Sequence, residues 1–581
     1  MSRAWKIILV ASAVILLAAL WLWWRRPEQV DMAEYVPADA LVYLESNSIP
    51  EVVKNIVATR AWQDVAPAAG VGSGADQFGW LSRVAEWTGL GSHETVIVAR
   101  AQVAVCVLGF SAGEYPDATL KISPRGAVVI ETHTGGARVR AALEKAVGRF
   151  AQRSLGASEP VRKEEGGASF YTWAAPEDGR RRVVAAVSGT VAVIGNDEAT
   201  VRACLSVQRG ERPSLAGDPR LREMRSRLGG EGTLAFGYAP AGSAAKVVEA
   251  AAPLFVGQAS EEPRVQSLLA SLLPKLAHRV VGAAAWSTHA EGGALIDRYL
   301  LLLPDGLARR LSSALPSSES RPVAAAELLP ADTHQVSYYT YRDPEAAWLA
   351  LNAGVSTQVD SLQAPMVTLA LESMLQPYGV ESPREFLRAT RSEVVTARLD
   401  ETSDGKVLIV GVRDKTELLE EVRKHLGAGA QATTVGADEM WVSTEPERGA
   451  AAFLGDYLLM GREEDVRRCI AARAEGRSLA GSERFKSPRD TAGPAPHVLT
   501  LTSDESAARA FVLSFRRRRQ AENIDAEKLN QALRGLPYSE SETRVTEEGV
   551  ERRTRSAFGL FGSIVARFAP ADASDAQAAA P

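Results

Sequence analysis

The sequence predicts an α+β fold: an N-terminal transmembrane helix followed by two homologous tandem domains, each a mainly antiparallel sheet with helices packed on it. Three observations carry this expectation. Strand-like runs alternate with single amphipathic helices and tight turns, a set of short motifs recurs in order along the chain, and one uncharged apolar run fills residues 7–24.

The apolar run comes first. Residues 1–6 are a short basic head with Arg3 and Lys6, expected to be cytoplasmic, and Ile7 to Trp24 then reads IILVASAVILLAALWLWW without a charge. At about 1.5 Å per residue this is long enough for the hydrocarbon layer of a bilayer. Trp21, Trp23 and Trp24 would fall at an interface, where indole rings are favoured, with Arg25 and Arg26 closing the segment. A cleaved signal peptide is the competing reading, but Trp-Leu-Trp-Trp-Arg-Arg lacks the small-residue spacing that a signal peptidase needs. The expectation is a single-pass anchor in the inner membrane, bulk of the chain extracytoplasmic or periplasmic, with the lipid bilayer as its partner.

The remainder is long enough for more than one core, since the chain has 581 residues, 46% of them hydrophobic and 24% charged. With Arg3, Lys6, Arg25 and Arg26 set aside, 62 basic residues face 71 acidic ones, a net charge of −9 that argues against nucleic acid as a partner.

Self-comparison shows the duplication. Val-Pro-Ala-Asp at 36–39 recurs as Leu-Pro-Ala-Asp at 329–332, Gly126-Ala-Val-Val-Ile130 as Gly405-Lys-Val-Leu-Ile409, and Pro-Glu-Asp-Gly at 176–179 as Pro-Glu-Arg-Gly at 446–449. Val201-Arg-Ala-Cys204 then matches Val466-Arg-Arg-Cys469, Ser214-Leu-Ala-Gly217 matches Ser478-Leu-Ala-Gly481, and Ser243-Ala-Ala-Lys246 matches Ser506-Ala-Ala-Arg509. The offset falls steadily from 293 to 263, as small deletions in a second copy would produce. The first repeat domain is placed at 30–320 and the second at 321–568, divided in the stretch Pro316-Ser-Ser-Glu-Ser-Arg-Pro322; the tail 569–581 is expected to be disordered.

Within the halves, Lys406 to Val412 predicts a strand, and Leu418, Val422 and Leu426 place an amphipathic helix after it that ends at Gly427. Val139, Leu143, Val147 and Phe150 predict the same face in the first copy, with a helix ending at Gly148. Ser169 to Ile194 reads as strands joined at Pro176-Glu-Asp-Gly179, and Asp197 to Val207 as a helix. Helices are expected on one face of the sheet, and Ala557 to Val565 as a closing strand.

Catalytic motifs fail on context. Gly109-Phe-Ser-Ala-Gly113 fits a nucleophile elbow, but the strand-like Thr119-Leu-Lys-Ile122 follows it where an elbow needs a helix, and His133 nearby makes no triad. Ser243-Ala-Ala-Lys246 fits S-x-x-K, yet its copy replaces the lysine with Arg509, so both serines are read as helix N-caps. Gly70-Val-Gly-Ser-Gly74 reads as a linker, Arg516-Arg-Arg-Arg519 as a solvated helix face, and the seven histidines have no ligand spacing. Cys106, Cys204 and Cys469 are odd in number, with Cys204 and Cys469 as equivalent core positions. No catalytic, cofactor-binding or metal-binding residue is assigned.

The Pro-Ala-Asp motifs at 36–39 and 329–332, each opening a strand and then a helix behind one N-terminal anchor, resemble a bacterial family of membrane-anchored proteins catalogued as a domain of unknown function. That resemblance implies an extracytoplasmic envelope protein and transfers no catalytic residue. The functional expectation is a non-enzymatic binding or scaffolding module of the cell envelope with an envelope protein as partner, motivated by duplication without a polar constellation unique to one half. The alternatives are a membrane-tethered hydrolase with its site between the repeats, and a carrier of lipid or a small molecule.

Overall fold

The computed structural model describes residues 29–562, apart from 72–90, 115–119, 158, 177–180, 231, 260–262, 316–323, 362, 374, 402–404, 436–437, 486–494 and 515–524. The first half supplies strands β1 (Val42–Ser46), β2 (Gln102–Glu114), β3 (Leu120–Glu131), β4 (Val161–Glu165), β5 (Ala168–Ala174), β6 (Arg182–Ser188), β7 (Val191–Gly195), β8 (Thr233–Ala239), β9 (Ala284–Glu291) and β10 (Ala294–Leu302). The second supplies β11 (Gln335–Tyr339), β12 (Thr390–Arg398), β13 (Lys406–Val412), β14 (Gln431–Val435), β15 (Asp438–Val442), β16 (Ala450–Leu454), β17 (Tyr457–Gly461), β18 (Val498–Thr502), β19 (Ser539–Val545) and β20 (Gly549–Ser556).

All twenty join one antiparallel sheet. From one edge the first half runs β4, β5, β6, β7, β3, β2, β1, β8, β9, β10. The second half then returns as β20, β19, β18, β11, β12, β13, β17, β16, β15, β14. Each strand of one half has its counterpart ten strands later in the chain, so the order is a palindrome about the β10–β20 pair. That joint runs from Leu295 opposite Ser556 to Leu302 opposite Gly549, with Arg298 facing Arg553.

The expected fold class is corrected on three points. The halves are not separate tandem domains but one continuous sheet. Trp62, Leu295, Phe511 and Phe558 share a core that draws on both halves, as do Leu269 with Val367 and Leu311 with Ala347; the dividing stretch 316–322 lies outside the described residues. Helices cover both faces of the sheet, not one. In β6, Val184 and Ala186 pack toward the core beneath helix Glu198–Gln208, and Ala185 and Val187 toward helix Gly136–Leu155, which is why that strand is almost wholly apolar. Finally, no helix of the described residues is long and apolar enough to cross a membrane. The twenty-residue helix Gly136–Leu155 carries charges from Arg138 to Arg153 and is amphipathic. The run Ile7–Trp24 lies outside the described residues.

The recurring motifs bind one another. Pro37 bridges to Ser214 and Pro330 to Ser478; the amide of Leu215 donates to the carbonyl of Val36 at 2.8 Å, and that of Leu479 to Leu329 at 2.7 Å. Pro-Ala-Asp and Ser-Leu-Ala-Gly are thus two sides of one clasp, present in both halves.

Locally, β13 spans Lys406–Val412, and Leu418, Val422 and Leu426 are buried in the helix Lys415–Leu426. Asp197 caps the helix Glu198–Gln208 by accepting from the Thr200 amide. The helix after β3 does not stop at Gly148; it runs on to Leu155 and ends at Gly156, which supplies the left-handed residue (φ +69°). Gly148 lies in its interior, against the Trp173 indole. Ala151 takes the buried position, and Phe150 is 55% exposed. Nor do Ala557–Gly562 form a strand: they leave the sheet after β20 and turn into a helical segment.

Candidate functional site at the seam between the halves

The palindrome puts strands from both halves side by side at its centre, and alternation decides what they present. On β10, Leu295, Asp297 and Tyr299 share one face; Asp297 lies opposite Thr554 and Tyr299 opposite Arg552 of β20. The same face continues through Ser541, which is opposite Thr554, Thr500 opposite Ser541, and Ser337 opposite Thr500. On the other side Asp297 is opposite Thr288 of β9. A row of hydroxyls and one carboxyl, Thr288, Asp297, Thr554, Ser541, Thr500 and Ser337, therefore crosses the seam.

The members bond along the row. Thr288 Oγ1 donates to Asp297 Oδ1 at 2.6 Å, the Ser541 and Thr554 hydroxyls lie 2.8 Å apart, and those of Ser337 and Thr500 3.0 Å apart. Arg552 Nη2 donates to Ser541 Oγ at 3.0 Å, so its guanidinium bonds to a hydroxyl. Asp297, Thr554 and Ser541 of this row line a hollow of about 590 Å³, bounded by the helix Glu505–Ser514 and by the turn Ala557–Gly562.

Two carboxyls, the buried Asp297 and the half-buried Asp504, fasten that turn. Asp297 Oδ2 accepts the Leu560 amide at 2.9 Å, and Asp504 Oδ2 accepts the Ser539 hydroxyl and, at 3.4 Å, the Ala557 amide. Burial pushes both carboxyls above the usual aspartate range, with their hydrogen bonds partly offsetting it. Burial and the neighbouring Asp297 push the Tyr299 phenol up to about 12. The arrangement offers hydroxyls that donate and accept, a phenol that stays protonated, and one guanidinium donor. Among the described residues no group of His, Cys, Asp and Glu could hold a metal.

Symmetry does not repeat this chemistry, because the topological two-fold, centred on Arg298 opposite Arg553, makes Arg552 the counterpart of Asp297 and Thr554 that of Tyr299. A second cluster belongs to the first half alone. Arg225 Nη2 reaches Asp31 Oδ1 and Glu45 Oε2, both at 2.9 Å, and the Tyr43 hydroxyl donates to Glu45 at 2.6 Å. Burial raises Glu45 against the pull of Arg225; burial acts to raise Asp31 too, but bonds from Arg225 and the Ala33 amide hold it below its usual range. The repeat positions of Tyr43 and Glu45 in β11 are Val336 and Tyr338. The absence of polar constellations peculiar to one half, expected from sequence, is thereby corrected.

The sequence candidates are scattered. Ser111 sits in the β2–β3 ladder opposite Ser123, whose carbonyl it reaches at 3.2 Å. His133 bonds to Gln102 at 3.1 Å. Ser243 and Ser506 lie inside their helices and are not N-caps; Ser506 donates to Glu401. Cys106 and Cys204 are buried with their sulfurs 3.7 Å apart, and Cys469 is buried elsewhere. Arg516–Arg519, most of Gly70–Gly74, and the anchor residues Ile7, Trp21, Trp23, Trp24, Arg25 and Arg26 lie outside the described residues. None of the seam residues was a sequence candidate. Their one legible trace was Asp297, a lone carboxylate inside the apolar run Ala294-Leu-Ile-Asp-Arg-Tyr-Leu-Leu-Leu302.

No protein-family model matches the chain, and no curated protein matches it. Among solved structures, crystal form III of TP0453 aligns with 50% of this chain and 90% of its own, at 13% identity and a TM-score of 0.24. A likeness at that score carries no argument about fold or function.

Proposed function

We propose that this chain is a non-enzymatic binding protein whose two homologous halves form one rigid sheet, with a site for a small polyhydroxylated ligand at their seam. The observation that carries the reading is the set of polar side chains Asp297, Ser541, Arg552 and Thr554 that line a hollow of about 590 Å³ at the seam. Sheet faces under helices are ordinarily apolar, and polar groups placed there need partners. Paired hydroxyls suit a ligand that itself both donates and accepts, such as a sugar or sugar acid, and Arg552 suits an anionic substituent on it. The hollow sets these polar groups beside the apolar Ala507, Ala508, Phe558 and Leu560, a mixed lining that suits the polar and apolar faces of a sugar ring.

A hydrolase reading is favoured by one feature, the two raised carboxyls in the same hollow. Both, however, hold backbone amides of the turn that closes the hollow, a structural duty. The test is thermal-shift and calorimetric titration of the full chain with neutral sugars and sugar acids, alongside native mass spectrometry of the purified protein. Binding lost in Arg552→Ala and Ser541→Ala, with the melting temperature kept, supports the proposal. Turnover of a glycoside or ester panel, abolished by Asp504→Asn, replaces it with the hydrolase.

A further inference from the structure

The palindromic sheet ends in two equivalent edges, β4 and β14, each paired on one side only among the described residues. Their hairpins share one register: Val161 to Glu165 pairs with Thr172 to Ala168 just as Gln431 to Val435 pairs with Val442 to Asp438. Position by position, Val161-Arg-Lys-Glu-Glu165 corresponds to Gln431-Ala-Thr-Thr-Val435. An open strand edge invites pairing with another chain, and charge on the edge is the common guard against it. The first edge is guarded: Arg162 pairs with Glu144, Lys163 with Glu165, and Arg202 with Glu165. The second has lost every charge at the equivalent positions while keeping its strand and exposing Gln431, Ala432 and Thr434.

We propose that β14 is an interaction edge and that its partner is β14 of a second copy of this chain, paired antiparallel. Two features of the molecule select that occupant. The chain already joins its own homologous halves in this way, edge to edge and antiparallel, at β10–β20. The uncharged strand is also compatible with itself: pairing centred on its third residue sets Thr433 against Thr433, Ala432 against Thr434 and Gln431 against Val435. Threonine opposite threonine is a favourable cross-strand pair. The same operation on β4 would set Lys163 against Lys163. The closed two-fold dimer extends the sheet without adding a fold.

The test is sedimentation velocity of the full chain over a hundredfold concentration range, with backbone hydrogen exchange at each end of it. The expected result is a monomer–dimer equilibrium with amides of 431–435 protected as the dimer forms. Thr433→Lys sets like charges opposite and weakens the dimer by roughly tenfold or more, while Lys163→Thr on the guarded edge leaves it unchanged. Circular dichroism and melting of Thr433→Lys, equal to those of the parent, exclude misfolding as the cause; if that variant misfolds, Ala432→Lys takes its place. A chain that stays monomeric throughout, a dimer that survives Thr433→Lys, or protection of β14 only when a different protein is added each overturns the proposal.

Discussion

The indole of Trp62 stands edge-on to the ring of Phe511, with centroids 6.2 Å apart and planes at 72°. Trp62 belongs to the first half and Phe511 to the second, and Phe558 completes the trio 4.5 Å from Phe511. Together with the β10–β20 ladder this makes the halves one cooperative unit. Trp62→Ala and Phe511→Ala should each cost about 3–5 kcal/mol, as truncation of buried aromatics does. Urea melts followed by circular dichroism should show one shifted transition. Two separate transitions in the parent chain would mean that the halves unfold independently and that the shared core is weak.

Gly237 lies across from Trp286 in the β8–β9 pair, and a Cβ on it would come within 1.9 Å of the indole. The ring lies over the bare backbone, so no side chain fits without displacing it. Gly237→Ala should destabilise by about 1–3 kcal/mol or more, the range for overpacking. Trp286 should become more exposed, read as a red shift in fluorescence. An unchanged melt and spectrum would show that the indole swings away at little cost.

What the sequence revealed follows from where burial is periodic. Val139, Leu143 and Val147 step by four, and the next step of four is Ala151; Phe150 looked like the better hydrophobe but lies off that stripe. The recurring Pro-Ala-Asp and Ser-Leu-Ala-Gly motifs were visible as repeats, but their contact was not, because a clasp between distant segments leaves no local pattern. The seam was hidden for a related reason. Ser539-Glu-Ser-Glu-Thr-Arg-Val545 is polar on both faces, so alternation gives no sign that Ser539 and Ser541 are buried. Their burial comes from β20, β18 and the overlying helix Glu505–Ser514, which are distant in the chain or meet them only after folding.

Arg225 holds together Asp31, Glu45 and Tyr43 in a largely buried cluster. Removing the cation would leave Glu45, 7% exposed, without its counter-charge. Arg225→Met should therefore cost about 3 kcal/mol or more, since breaking a buried pair strands the other charge. Adding Glu45→Gln should recover part of the loss. A double-mutant cycle by urea denaturation measures the coupling, and simple additivity would show that the pair contributes nothing to stability beyond packing.

Asp297 and Asp504 set a pH dependence of opposite sign to that of Asp31. Burial raises both carboxyls above the unfolded value, so between about pH 3.9 and their native values the folded chain binds more protons than the unfolded chain. Their favourable contribution is full below the unfolded pKa and is lost as pH rises through the native values. Asp31, held low by Arg225, gives stability above the unfolded pKa that is lost as pH falls. Asp297→Asn and Asp504→Asn keep a side-chain acceptor for the Leu560 and Ala557 amides and abolish the titration. Each should flatten the decline in stability above about pH 4, by about 1.4 kcal/mol for every tenfold difference in proton affinity between the two states. Urea melts across that range decide it. A variant whose decline parallels that of the parent would show that its aspartate is already ionised in the fold, and the seam would then carry a negative charge in the hollow that Arg552 also lines.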